Sequence, residues 1–177
     1  VLLPYIQIWI RPTKDVKLCL EAFYTWVSGT AISYEQVNGG LLWQGLAEAF
    51  DHQIDKEDCL DEVLFLHDLS KPFPNFRSCC LDISVYHNAG AHAVQEIGYG
   101  LSAMVDLMDG LTERGADPSA VFSDFFLYTA IGSSYFMEIA KLKTLRIAFH
   151  QLAGLYQVEL KPGEISLFTC SSAWTKS

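Results

Sequence analysis

Strand-like and helix-like segments alternate along the whole chain, and this alternation limits the fold more than any other feature. A parallel strand needs a crossover to reach the next strand, and a helix is the usual crossover. Tyr5-Ile6-Gln7-Ile8-Trp9-Ile10 alternates and is rich in strand formers. Asp15 to Val27 has helical spacing, with Val16, Leu20, Phe23 and Val27 on one face. Ala31 to Val37 reads as a second strand ending at Asn38-Gly39-Gly40, where the paired glycines suggest a tight turn. A short helix is expected over Leu41 to Phe50. A longer one is expected over Lys56 to Leu69, closed by the loop Lys71-Pro72-Phe73-Pro74-Asn75.

The second half continues the pattern. Cys79 to Val85 is a nearly continuous apolar strand with Asp82 inside it. Ala91 to Leu111 is a long helix with Val94, Ile97, Leu101, Met104, Met108 and Leu111 in line, and Gly98 and Gly100 allow it to pack closely on a sheet. Asp117-Pro118 opens a helix as N-cap and first residue. Phe125 to Ile131 is a strand. Ser133 to Tyr156 is the longest helix, with Phe136, Ile139, Lys143, Ile147 and Leu152 along its length. Pro162-Gly163 turns the chain into a last strand, Ile165 to Cys170.

Five strands and four main helices in this order predict an α/β fold, a parallel sheet with outer helices. A closed (β/α)8 TIM-type barrel needs eight strands and roughly 250 residues. The 177 residues would therefore form a partial barrel, as a single domain. An open doubly wound sheet fits the pattern equally well. The chain opens inside an apolar run and stops just after a strand, so both ends look cut.

Half the residues are apolar, and the net charge is −9. That charge argues against a nucleic-acid partner, which needs a basic stripe to neutralise phosphates. No apolar run is long enough to span a bilayer. Five cysteines without zinc spacing read as free thiols in a reducing cytoplasm.

His87 is the foremost candidate for chemistry. It sits in Tyr86-His87-Asn88-Ala89-Gly90, at the carboxyl end of the third predicted strand, where barrel active sites are built. An imidazole there is placed for acid–base work. A histidine bonded to a loop carbonyl is the alternative, and the sequence favours neither. Ser171-Ser172 follows the last strand, either to meet a ligand or to form a turn. His52 and His67, beside Asp51 and Asp68, read as solvated helix ends.

The run Ala130-Ile131-Gly132-Ser133-Ser134-Tyr135-Phe136-Met137-Glu138-Ile139-Ala140-Lys141-Leu142-Lys143 closely resembles a contiguous segment of the methylmalonyl-CoA mutases. Tyr86-His87-Asn88-Ala89-Gly90-Ala91 with Gln95-Glu96-Ile97-Gly98-Tyr99 looks like a run in that family's small subunit, and Ser171-Ser172-Ala173-Trp174-Thr175-Lys176 like the segment after the next strand. The resemblance covers Cys79 to Ser177 well and the earlier residues only by pattern. It implies a barrel of the acyl-CoA-binding type and, in the assembled enzyme, adenosylcobalamin as the source of radical chemistry.

The catalytic residues of that family do not carry over. Its Tyr-His pair falls without gaps on Ser84 and Val85. An Arg and a Ser used toward CoA fall on Asp124 and Phe126, and a substrate-side His and Gln on Phe168 and Cys170. The Asp-x-His-x-x-Gly motif that binds cobalamin is absent, so no cobalamin-binding domain is expected within these residues. The resemblance therefore implies a non-catalytic small subunit, whose partner is the catalytic large subunit. A truncated catalytic barrel, with Tyr86 and His87 in its active site, is the competing expectation. A solitary acyl-CoA-binding protein is a third. Asn88 and Ser171 are the candidates for the barrel mouth, where a cofactor would dock.

Overall fold

The computed structural model describes residues 5–13, 15–43, 45 and 55–175. The chain divides into two compact units, Val1–Cys80 and Leu81–Ser177.

In the first unit, β1 (Gln7–Ile10), β2 (Asn38–Leu41) and β3 (Phe76–Arg77) form one sheet, and β2 pairs parallel with both neighbours. Two helices accompany it, α1 (Val16–Ser28) and α2 (Lys56–Ser70). The Asp15 carboxylate caps α1 by accepting the Leu18 N–H at 2.9 Å. The buried face of α1 is Val16, Leu20, Tyr24 and Val27. Tyr24 thus takes the place expected of Phe23. Its ring stacks on Phe73 at 3.8 Å, and its hydroxyl donates to Ser70 Oγ at 2.9 Å.

The second strand lies where a turn was expected. Ala31 to Val37 contains only a 3-10 turn, Tyr34–Gln36, and the ladder is formed by Asn38-Gly39-Gly40-Leu41. The cause is the close approach of β1. Gly39 has φ +141°, and a Cβ there would lie 1.8 Å from the Ile8 carbonyl oxygen. Only glycine fits, so the strand lacks the branched side chains that usually mark one. β3 was not anticipated, because two residues carry no periodicity. The helix expected over Leu41–Phe50 falls mostly on residues outside those described.

The second sheet has the order β4 (Cys79–Asp82), whose first two residues precede the boundary, β5 (Phe125–Ile131) and β6 (Leu167–Ser171), with β5 and β6 parallel. All four residues of β4 are buried, Cys79 and Cys80 included, as expected for a strand covered on both faces. The strand ends earlier than predicted, for a local reason. Asp82 Oδ1 accepts both the Ser84 N–H at 2.9 Å and the Ser84 hydroxyl at 2.6 Å. This turn starts a short helix, α3 (Ser84–Asn88), so Tyr86, His87 and Asn88 are helical rather than part of a strand-end loop.

Three further helices follow, α4 (Ala93–Glu113), α5 (Pro118–Asp124) and α6 (Tyr135–Leu155). His92 and Gln95 cap α4 reciprocally, which was not foreseen, and Asp117 caps α5 with Pro118 in its first turn, as the sequence predicted. Gly100 packs closely on Ile83, the residue after β4, since a Cβ would stand 2.4 Å from its Cγ2, whereas Gly98 faces open space. Phe122 and Phe149 meet edge to face at 5.4 Å within the core.

α6 is turned relative to the predicted stripe. Its buried line is Glu138, Lys141, Leu145, Phe149, Leu152 and Ala153. Phe136, expected inside, is 83% exposed, and Tyr135, Met137, Ile139 and Ile147 are exposed with it. The helix is apolar on nearly all sides, so its spacing does not single out one face.

Candidate functional site

A polar cluster is buried beside the carboxyl ends of β5 and β6. Its centre is Glu96, on the first turn of α4, with 0% exposure. Thr129 of β5 donates its hydroxyl to Glu96 Oε1. Lys141 of α6, 2% exposed, donates to Glu96 Oε2 at 2.9 Å and to the Ala130 carbonyl at 2.6 Å. Its Nζ also lies 2.7 Å from Glu138 Oε2. That oxygen is buried and accepts no well-angled hydrogen bond, so the attraction there is that of charge.

His87 extends the cluster toward the surface. Its Nδ1 faces Glu96 Oε2 at 3.4 Å, and its Nε2 is 2.8 Å from Ser172 Oγ. Ser172 is 1% exposed and also accepts the Trp174 N–H at 3.2 Å. Asn88, exposed, accepts the Ala173 N–H on Oδ1 at 3.3 Å. Gly132 leaves the room this needs, since a Cβ there would press on Glu138 Oε1 at 3.0 Å and His87 Cε1 at 3.4 Å.

The candidates from sequence thus have distinct surroundings. His87 belongs to the cluster, and its partners are side chains rather than a loop carbonyl. Asn88 holds the turn after β6. Ser171 is the exposed last residue of β6, in register with Ile131 of β5. The Tyr86 ring lies 5.5 Å from that of Tyr99, and burial together with the Asp106 charge pushes its hydroxyl up to about 12. Among the positions aligned with substrate contacts, Phe126 is buried in the core and Phe168 packs on Tyr128 at 5.4 Å.

Glu96, Thr129, Glu138 and Lys141 were not singled out as functional from sequence. A signal was present. Glu96 is four residues before Gly100 and eight before Met104, and Lys141 is on the line to Leu145 and Phe149. A charge on an apolar helical line is a buried charge that needs a partner. Among the described residues no group of three His, Cys, Asp or Glu is arranged to hold a metal, and no helix is long and apolar enough to cross a membrane.

Known proteins place this arrangement in a family. The methylmalonyl-CoA mutase family profile matches residues 59–177, well over half the chain, and takes in every member of the cluster. The methylmalonyl-CoA mutase small subunit of Porphyromonas gingivalis is 28% identical over 160 residues, covering 89% of this chain and 26% of that subunit. The large subunit of the same organism is 31% identical over 110 residues, covering 60% of this chain and 15% of that subunit. A methylmalonyl-CoA mutase of Cereibacter sphaeroides is 34% identical over 102 residues, 56% of this chain and 14% of that protein. The chain spans about a quarter, or less, of the length of these relatives. The alternating fold, the helical segment that carries Glu138 and Lys141, and the extent of the profile match agree, and the chain belongs to the methylmalonyl-CoA mutase family.

Proposed function

We propose that this chain is part of the partial (β/α) barrel of a methylmalonyl-CoA mutase small subunit, which supports a catalytic large subunit in the cytoplasm. The observation that carries this reading is the longer match to the small than to the large subunit of one organism. The site supports it. The polar groups near the ends of β5 and β6 are directed at one another: Lys141 at Glu96, Thr129 at Glu96, His87 at Ser172. The residues aligned with CoA and substrate contacts are apolar or acidic, and an apolar side chain gives a thioester carbonyl or a phosphate no hydrogen bond.

Adenosylcobalamin belongs, in this reading, to the large subunit. His87 does not suit a cobalt ion, because each ring nitrogen faces a protein oxygen, Glu96 on one side and Ser172 on the other. Asn88 Oδ1 is engaged by the Ala173 N–H. The outward Tyr135, Phe136, Met137, Ile139 and Ile147 of α6 give the kind of apolar surface that another chain buries.

Co-expression with the large subunit tests the proposal. A one-to-one complex that persists at moderately high salt is expected in size-exclusion chromatography with light scattering, since apolar burial is not screened. Two separately eluting folded proteins at micromolar concentration would refute it. The purified chain alone, given adenosylcobalamin and methylmalonyl-CoA, is expected to form no succinyl-CoA. Turnover lost on His87→Ala would instead favour a catalytic barrel of the same or a related acyl-CoA mutase, with Tyr86 and His87 in its active site.

A further inference from the structure

We propose that Ser172, His87 and Glu96 form a nucleophile–base–carboxylate triad that accepts an acyl group from a thioester onto Ser172 Oγ. The three groups are connected in the order such chemistry requires: Ser172 Oγ to His87 Nε2 at 2.8 Å, and His87 Nδ1 to Glu96 Oε2 at 3.4 Å. The second distance is longer than a good hydrogen bond, and such contacts commonly tighten only when substrate binds. They come from three separate elements, the turn after β6, α3 and α4, so sequence proximity does not explain the line. The roles follow from the atoms.

The hydrogen bonding fits one proton arrangement. Ser172 Oγ accepts the Trp174 N–H and lies 2.8 Å from His87 Nε2, and in the triad its hydroxyl donates to that nitrogen. The other imidazole nitrogen then carries its hydrogen toward Glu96. Lys141 and Thr129 face the two oxygens of Glu96 and fix its side chain beside His87. Glu96 is a positioning residue, acting through His87.

A developing oxyanion also has a donor. The residue after a nucleophile commonly gives its backbone N–H for this purpose. Here that residue is Ala173, whose N–H is held at 3.3 Å by the exposed side chain of Asn88. Rotation of one surface side chain releases it. Ser172 is 1% exposed, so acyl transfer requires a local opening around it.

In the acylation step, Ser172 Oγ bonds to the thioester carbonyl carbon as His87 Nε2 takes the hydroxyl proton. The carbon–sulfur bond then breaks, and the thiolate leaves with that proton. Water hydrolyses the acyl-serine by the same route, giving a carboxylic acid and restoring the serine. No redox change occurs. The thioester as donor rests on the family reading, whereas the nucleophile rests on geometry alone.

A fluorophosphonate probe separates the two, because it reports an activated serine whatever the natural acyl donor. Wild-type protein is expected to gain one adduct, localised by mass spectrometry to Ser172 and absent from Ser172→Ala. His87→Gln is expected to slow labelling by about 100-fold or more. Glu96→Gln, checked for folding by circular dichroism, is expected to change the pH profile of labelling, which a purely structural loss would not reshape. Acetyl-CoA should leave an acetyl group on Ser172. Labelling of Ser172 without acetylation by acetyl-CoA would retain the nucleophile and overturn the thioester. No adduct on folded wild-type protein, or an adduct that survives Ser172→Ala, would overturn the triad and reduce the Ser172–His87 contact to a structural tie. None of these outcomes depends on complex formation with a large subunit.

Discussion

The two units of this chain stabilise their sheets by opposite means. The first uses aromatic rings and a glycine contact: Tyr24 stacked on Phe73, Phe23 beside Phe76 at 5.3 Å, and Gly39 against Ile8. The second places two carboxylates, an ammonium and an imidazole next to its strands. Aromatic contacts are tolerant, because area burial is not directional. A buried ionic cluster is not, because removing one member leaves another charge without compensation.

The contrast predicts that the largest loss comes from the second unit. Lys141→Ala should cost about 3–5 kcal/mol in urea unfolding, while exposed Lys143→Ala should stay within about 0.5 kcal/mol. Equal losses at the two lysines would remove the distinction. Gly39→Ala should come next, at about 3 kcal/mol, since it combines an unfavourable φ with a backbone clash. The control is Gly98→Ala on α4, which meets open space and should gain about 0.5–1 kcal/mol. Tyr24→Phe keeps the stacked ring and loses the bond to Ser70, so about 1 kcal/mol is expected. A much larger loss would mean that the first unit also depends on directional polar contacts.

The smallest effect is in alkaline pH dependence. Tyr86 and Tyr156 are both pushed from their ordinary value of 10.0 up to about 12, by burial first and then by Asp106 and by Asp109, respectively. Tyr156 also donates to Asp109 Oδ1 at 2.7 Å. A folded-state value above the unfolded one gives stability that is full below pH 10.0 and is lost as pH rises through about 12. Tyr86→Phe should flatten part of that decline in melting temperature between these limits. An unchanged decline would assign it elsewhere.

Much of the fold was legible before any coordinates. β5 was read to the residue, and α5 was placed by Asp117-Pro118, because an apolar run and a cap are local signals. β2 was misplaced because its defining feature is a contact with β1, which spacing does not record. The face of α6 was misread because apolar residues surround the helix. His87 was found from its place after a strand. Its link to Glu96 and Ser172 was not, since these residues meet only through the tertiary fold.

The ion pair between Glu96 and Lys141 bears on how α6 is seated. A helix apolar on nearly every side has several orientations of similar burial, and a slip of one turn moves it by about 5.4 Å. Hydrophobic burial alone discriminates poorly among them. Lys141, bonded to both Glu96 and the Ala130 carbonyl, does discriminate: every other seating leaves an ammonium in the core without its oxygens, or Glu96 without its ammonium. The pair acts as a key that admits a single alignment of α6 on α4 and β5, and that alignment sends Phe136 and its neighbours outward rather than in.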